Sequence, residues 1–375
     1  MSSSLSLIIL GCVTVYLCYL QYKIAKFSRD RKDKFYVLVW MGFFILCNVM
    51  FYFNLDLKSP VDLMLMVGYG SMIAFFWGFH FIYKRVLGKS GIFMKPVDED
   101  FQNSKENLHE FLRKFFHFFV FFGSLLFVVL YTAISKDTFT QYPDFGIYGR
   151  NPIWEDSFLA PLNVDFEVKP TFYSPTQMQI GMVIFFMIAM PFGIISEYFR
   201  LNPRLGIPFQ PLFVKSLRPH EQHNAADYYY FTFGFFAAVF LLPAAAAFGV
   251  LCVMCFGDTF ASLVGKRWPK SKKHHIRWEE KKCWEGSIAG FIATLFSAVW
   301  FVGWIPALIL SVIFIIFDLV TPTTLKISDN FLYPFVGVLV LFSIFVFGFQ
   351  MDAPVANYFS ELNAWFAAHT REPVY

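Results

Sequence analysis

Phe256 to Gly290 reads FGDTFASLVGKRWPKSKKHHIRWEEKKCWEGSIAG, a basic loop over 265–285 held between two apolar segments. A carboxylate stands at each mouth: Asp258 ends the first segment and Glu285 opens the second. Eight of the chain's 31 Lys and Arg fall between them: Lys266, Arg267, Lys270, Lys272, Lys273, Arg277, Lys281 and Lys282. On a helix, Ala261, Ser262 and Gly265 follow Asp258 at i+3, i+4 and i+7, which makes a small, partly polar face around one acid. A carboxylate at a membrane edge is costly unless it is paired or binds a cation, so it marks a site. Carboxylates beside clustered Lys and Arg suit Mg²⁺ and a polyphosphate held together.

The apolar segments flanking this loop belong to a pattern that covers the chain. Of 375 residues, 57% are hydrophobic, 21% aromatic and 15% charged, with 52 Phe, a membrane composition rather than that of a soluble core. Nothing in it points to a nucleic-acid partner. Apolar runs of bilayer length, about 20 residues, recur throughout. The expected spans are 4–22, 35–53, 62–83, 115–134, 177–198, 228–243, 246–264, 286–303, 305–320 and 331–350. The run 246–264 holds Gly257 and Asp258 and is expected to bend or break there, lining a cavity where irregular backbone is tolerated. Leu5 to Leu20 has no Lys or Arg before it, six before Phe35 after it, and no small-residue cleavage site. It reads as a retained helix with its N-terminus outside rather than a signal peptide.

Positive charge tests the count. With the N-terminus outside, the inner loops 23–34, 84–114, 199–227, 265–285 and 321–330 hold 26 of the 31 Lys and Arg. The outer segments, with 135–176 the longest, hold the other five. The expected fold is therefore an all-α polytopic membrane protein of about ten transmembrane helices, both termini on the non-cytoplasmic side. Three regions follow: 1–114, three spans and a cytoplasmic linker; 115–350, the membrane domain carrying the site; and 351–375, a tail. Cys252 and Cys255 lie inside an apolar run, where core packing explains the pair better than a redox or metal motif.

Further polar groups fall on the same side. Glu110, Arg113, Lys114 and His117 share one helical face at the start of the fourth span. A basic anchor at the membrane edge explains them equally well as a phosphate grip. Glu197 and Arg200, at i and i+3, fit an ion pair at a helix end. Asp329 fits an ordinary N-cap, followed by Asn330. Asp318, at the end of the ninth span, is a weaker candidate acid. Gly286-x-x-x-Gly290 fits close helix packing, and also free N–H groups offered to a phosphate.

GDTFASLVGKR (Gly257 to Arg267) followed by KKCWEGSIAGF (Lys281 to Phe291) resembles the CTP-dependent lipid kinases, a family that includes dolichol, phytol and CTP-using diacylglycerol kinases. The wording IRW…KK-x-W-EG (Ile276 to Gly286) is most similar to dolichol kinases. The resemblance implies transfer of the γ-phosphoryl group of CTP to a lipid alcohol, polyprenol or dolichol, with Mg²⁺ or another divalent cation. It also implies an endoplasmic reticulum membrane with the site facing the cytoplasm. Asp258 would bind the cation, with Glu285 or Asp329 as a second carboxylate. Nucleotide contacts would come from Gly257, Ser262, Gly265, Lys266, Arg267, Lys281, Lys282, Gly286 and Ser287. The R-K-x-x-H run of Arg113, Lys114 and His117 is characteristic of the family, and the hydroxyl proton would go to His117 or a carboxylate. An acid and Arg after the fifth span (Glu197, Arg200), an Arg/Glu pair before the sixth (Arg218, Glu221) and the Asp329-Asn330 pair have family parallels too. All four inner loops would then meet at one site.

Three other readings compete. Diacylglycerol or phytol is the alternative acceptor for the same chemistry. A phosphatidate cytidylyltransferase has a similar D-x-x-A…G…K-T-x-EG region, but its H-G-G-[apolar]-x-D-R run is missing here. A transporter would place charges near mid-membrane in related halves, and the chain shows no such halves.

Overall fold

The computed structural model describes residues 3–54, 60–82, 85, 106–134, 177–202, 205, 217, 221, 223–242, 244–267, 275–276, 279–320 and 329–346. They are almost entirely helical. In chain order the helices are α1 (Ser3–Phe27), α2 (Arg31–Asn54), α3 (Pro60–Ile82), α4 (Glu106–Ile134), α5 (Gln177–Leu201) and α6 (Asp227–Leu241). Next come α7 (Ala244–Cys252), a π-helical turn Val253–Gly257 and α8 (Asp258–Arg267), a continuous run. After a short hairpin of β1 (His275–Ile276) and β2 (Glu279–Cys283) come α9 (Trp284–Val302), α10 (Trp304–Val320) and α11 (Asp329–Val346). Among the described residues these make ten helical runs, one over each expected span. Among the described residues two helices, Ala245–Lys266 and Trp284–Val302, are long and apolar enough to cross a membrane. Trp304–Val320 and Leu332–Ile344 are shorter apolar helices. Arg218 and the segments 135–176 and 351–375 lie outside the described residues, as does most of 84–105.

The irregularity expected near Gly257 is present as the π turn that ends there. The Asp258 N–H donates to the Val253 carbonyl, five residues back, in place of the α-helical four. The hairpin departs from the all-helical expectation. The sequence read 265–285 as loop, yet His275 pairs with Cys283 and Ile276 with Glu279 in an antiparallel ladder with an irregularity between them. Five residues of Glu, Lys and Cys carry no strand signal of their own.

The chain divides into two compact units, Met1–Val120 with Val183–Phe236, and Phe121–Met182 with Ala237–Tyr375. In the first, Leu17, Leu20 and Ile24 of α1 and Val37, Trp40 and Phe44 of α2 are buried at helical spacing. Aromatic rings interlock across it: Trp40 with Phe233 at 5.4 Å, and Phe186 stacked on Phe235 at 5.3 Å. The turn between α1 and α2 is tied to the chain before α6, because Arg29 N–H and Asp30 N–H both donate to Asn224 Oδ1.

In the second unit, small residues let helices approach. A β-carbon on Gly249 would lie 2.5 Å from Val302 Cγ1, and one on Gly257 would lie 2.3 Å from Thr294 Oγ1. Gly303, at φ 78°, makes the tight connection from α9 to α10, and its N–H closes on the Val299 carbonyl at 3.0 Å. Large apolar side chains also face outward from α9 and α10, including Phe296, Trp300, Trp304 and Ile305, each more than half exposed.

Candidate functional site

In the second unit the site is built where α8 packs on the start of α9. Asp258 is half-buried and opens α8 directly after the π turn. Gly257 must be small to precede it, since Thr294 and the Phe314 ring occupy the space of a side chain. One turn on, Ala261 and Gly265 face Gly286: a β-carbon there would meet the Ala261 carbonyl at 2.8 Å and Gly265 Cα at 3.2 Å. A β-carbon at Gly290 would meet Phe314 at 2.3 Å and the Gly257 carbonyl at 2.8 Å. The glycines of the resembled motif therefore all stand at helix–helix contacts. Ser262 is half-buried and Lys266 exposed on the remaining faces of α8.

Glu285 lies in the first turn of α9 and is half-buried. Burial pushes the neighbouring Cys283 thiol up, and the Glu285 carboxylate beside it adds to that rise. Lys282, at the end of β2, points its ammonium at Asp318 near the end of α10. Nζ donates to Asp318 Oδ1 at 2.6 Å and to the Asp318 carbonyl at 2.7 Å. Ser287 Oγ donates to Asp318 Oδ2 at 2.5 Å. Asp318 is buried, so one acid joins β2, α9 and α10. Asp329 and Asn330 open α11, and Arg267 and Lys281 lie on α8 and β2; the side chains of all four are outside the described set.

The first unit holds a polar cluster. Arg113 Nη1 donates to Asp227 Oδ2 at 3.1 Å, with both side chains 8% exposed. His117 lies flat on Phe231, with ring centroids 4.4 Å apart, and is buried, as is Lys114. Glu197, fully buried, accepts from Arg200, from the Tyr228 hydroxyl and from the Ala226 N–H at 2.8 Å. Arg200 Nη1 and Nη2 also donate to the carbonyls of Glu221 and Asn224, at 2.8 and 2.5 Å. This pair closes the end of α5 onto the chain entering α6. Asp33 does the same from α2, accepting from the Tyr230 hydroxyl and from the Ala225 N–H at 2.8 Å.

Asp33, Asp227 and Tyr228 carry no sequence signal beyond their type. Asp227 reads as an acid in the first turn of a helix, which the helix dipole favours anywhere. Among the described residues no three or more His, Cys, Asp or Glu side chains are grouped to hold a metal ion. Asp258 and Glu285 are carboxylates, the ligand type of which Mg²⁺ commonly takes one or two, with phosphate oxygens and waters completing the shell. No family model, curated protein or solved structure matches the chain.

Proposed function

We propose that the chain is an integral membrane kinase that transfers the γ-phosphoryl group of CTP to a lipid alcohol, with polyprenol or dolichol as acceptor. The observation that carries the reading is the position of Asp258. This half-buried carboxylate follows a π turn inside a helix apolar enough to cross a membrane, and α8 packs on the start of α9, where Lys282, Glu285 and Ser287 lie. π turns inside helices frequently accompany functional sites. The motif Gly257 to Arg267 with Lys281 to Phe291 supplies the choice of nucleotide.

In this reading Asp258 and Glu285 hold Mg²⁺, which neutralises phosphate charge when bound. Lys266, Arg267, Lys281 and Lys282 draw the polyphosphate to the loop, and Ser287 lies at the start of α9, where backbone N–H groups favour anions. The lipid hydroxyl attacks the γ-phosphorus: the O–H bond breaks, a P–O bond forms, and the bond to the β-phosphate oxygen breaks to release CDP. The resemblance leaves the hydroxyl proton to His117 or to one of the carboxylates. Most of the catalysis is positioning and charge stabilisation. Outward-facing Phe and Trp on α9 and α10 suit a lipid surround. The partition of positive charge supports a cytoplasmic side for 265–285, and the resemblance to dolichol kinases supports an endoplasmic reticulum membrane.

The test is a transfer assay with purified protein, a panel of lipid alcohols and CTP labelled at the α or the γ phosphate. The γ-label should enter the lipid and the α-label should stay in CDP. Entry of the α-label would make the protein a cytidylyltransferase, and no transfer to any alcohol would end the kinase reading.

A further inference from the structure

We infer that Asp318 is a positioning residue that sets the Lys282 ammonium and the Ser287 hydroxyl at the start of α9 for the nucleotide phosphates, an inference that rests on the kinase reading. Each oxygen of its carboxylate has a different partner. Oδ1 accepts from Lys282 Nζ at 2.6 Å, and Oδ2 accepts from Ser287 Oγ at 2.5 Å. The Asp318 carbonyl takes a second N–H of the same ammonium at 2.7 Å. An ammonium has three donors, and two are committed here, which fixes the direction of the third.

Burial makes this arrangement specific. The Asp318 side chain is 10% exposed, while that of Lys282 keeps 20%. The acid is thus shut in and the cation partly open. A carboxylate alone near a polyphosphate repels it; paired to Lys282, it leaves a third N–H and no net negative charge. Ser287 Oγ also has the Cys283 carbonyl within 3.4 Å, but the shorter contact to Asp318 takes its proton. Its lone pairs and the backbone of the first turn of α9 are thereby fixed relative to Lys282. Lysine is a flexible point charge, so a fixed anchor turns general attraction into a defined contact. Asp318 touches no reacting atom in this role and acts through Lys282 and Ser287.

The test couples two substitutions on the full-length protein in lipid vesicles, reading labelled-CTP binding and γ-transfer together. Asp318→Asn should lower kcat/KM for CTP by roughly tenfold to a hundredfold, the scale of misplacing a substrate-holding group, with KM for the lipid alcohol unchanged. Asp318→Glu should recover part of the loss. On a Lys282→Ala background, Asp318→Asn should cost several-fold less than on the wild type, the remainder being its hold on Ser287, because groups that act as a unit are not additive. That double variant also removes the buried acid left without its cation, so it remains readable if Asp318→Asn alone folds poorly. A fall on the Lys282→Ala background as large as that on the wild type would overturn the assignment, as would a matching rise in KM for the lipid. If wild-type protein neither binds CTP nor transfers its phosphoryl group, the parent reading fails; if it does both and the losses add, only the Asp318 role fails.

Discussion

Gly290 of α9 faces the Phe314 ring of α10 so closely that a β-carbon at 290 would lie 2.3 Å from Cε1 and 2.5 Å from Cζ. Phe314 is itself buried and lies 5.3 Å, centroid to centroid, from the Tyr333 ring, so it has little room to turn aside. Gly290→Ala should therefore destabilise the protein by about 1–3 kcal/mol, the usual cost of overpacking. Gly286→Ala should do likewise, because its first contact is a backbone carbonyl. Gly123, with nothing within 4 Å, is the control. Gly123→Ala should leave the thermal midpoint in detergent unchanged or raise it slightly. Equal midpoints for all three variants would refute the packing role.

Asp258→Asn nearly preserves shape and removes charge. A cation-binding Asp258 should lose turnover by at least about a hundredfold, while expression, membrane insertion and thermal midpoint stay near wild type. Lys282→Ala is the comparison: loss of one phosphate contact among several should raise KM for CTP and leave turnover at saturating CTP. Well-folded Asp258→Asn with wild-type activity at ordinary Mg²⁺ would remove Asp258 from the metal site.

Arg113 and Asp227 form a buried pair, and removal of one partner takes this counter-charge from the other. Arg113→Ala should destabilise the first unit by about 3–5 kcal/mol, read as a large drop in thermal midpoint. Arg113→Met combined with Asp227→Leu should recover most of that loss, since apolar side chains of similar volume need no counter-charge. An unchanged midpoint in Arg113→Ala would show that the pair contributes nothing to the fold.

The partition of 26 positive residues against five predicts that 84–114, 199–227 and 265–285 face the cytoplasm and 135–176 the lumen or exterior. Single cysteines placed in each segment of a cysteine-free variant, probed with an impermeant maleimide in sealed vesicles, should label accordingly. Labelling of 84–114 and 265–285 from opposite sides would break the ten-span topology.

The helices and most of their limits were legible in the chain itself, because long apolar runs between charged segments leave few alternatives to helix. The irregularity before Asp258 was legible for a related reason: a glycine and an acid inside an apolar run are poor material for a regular span. The partners were not. Lys282 meets Asp318 across 36 positions and Arg113 meets Asp227 across 114, and no local pattern encodes distances of that kind. Glu197 and Arg200 were legible as an ion pair at i and i+3, but their bonds to Ala226, Glu221 and Asn224 exist only because the chain returns to α5. The glycines had two readings on paper, phosphate contact and close packing, and only the tertiary structure placed ring and carbonyl atoms where their side chains would be. Helix formation depends on residues within a turn or two, whereas the pairing of charges and the fit of a glycine depend on which surfaces pack together.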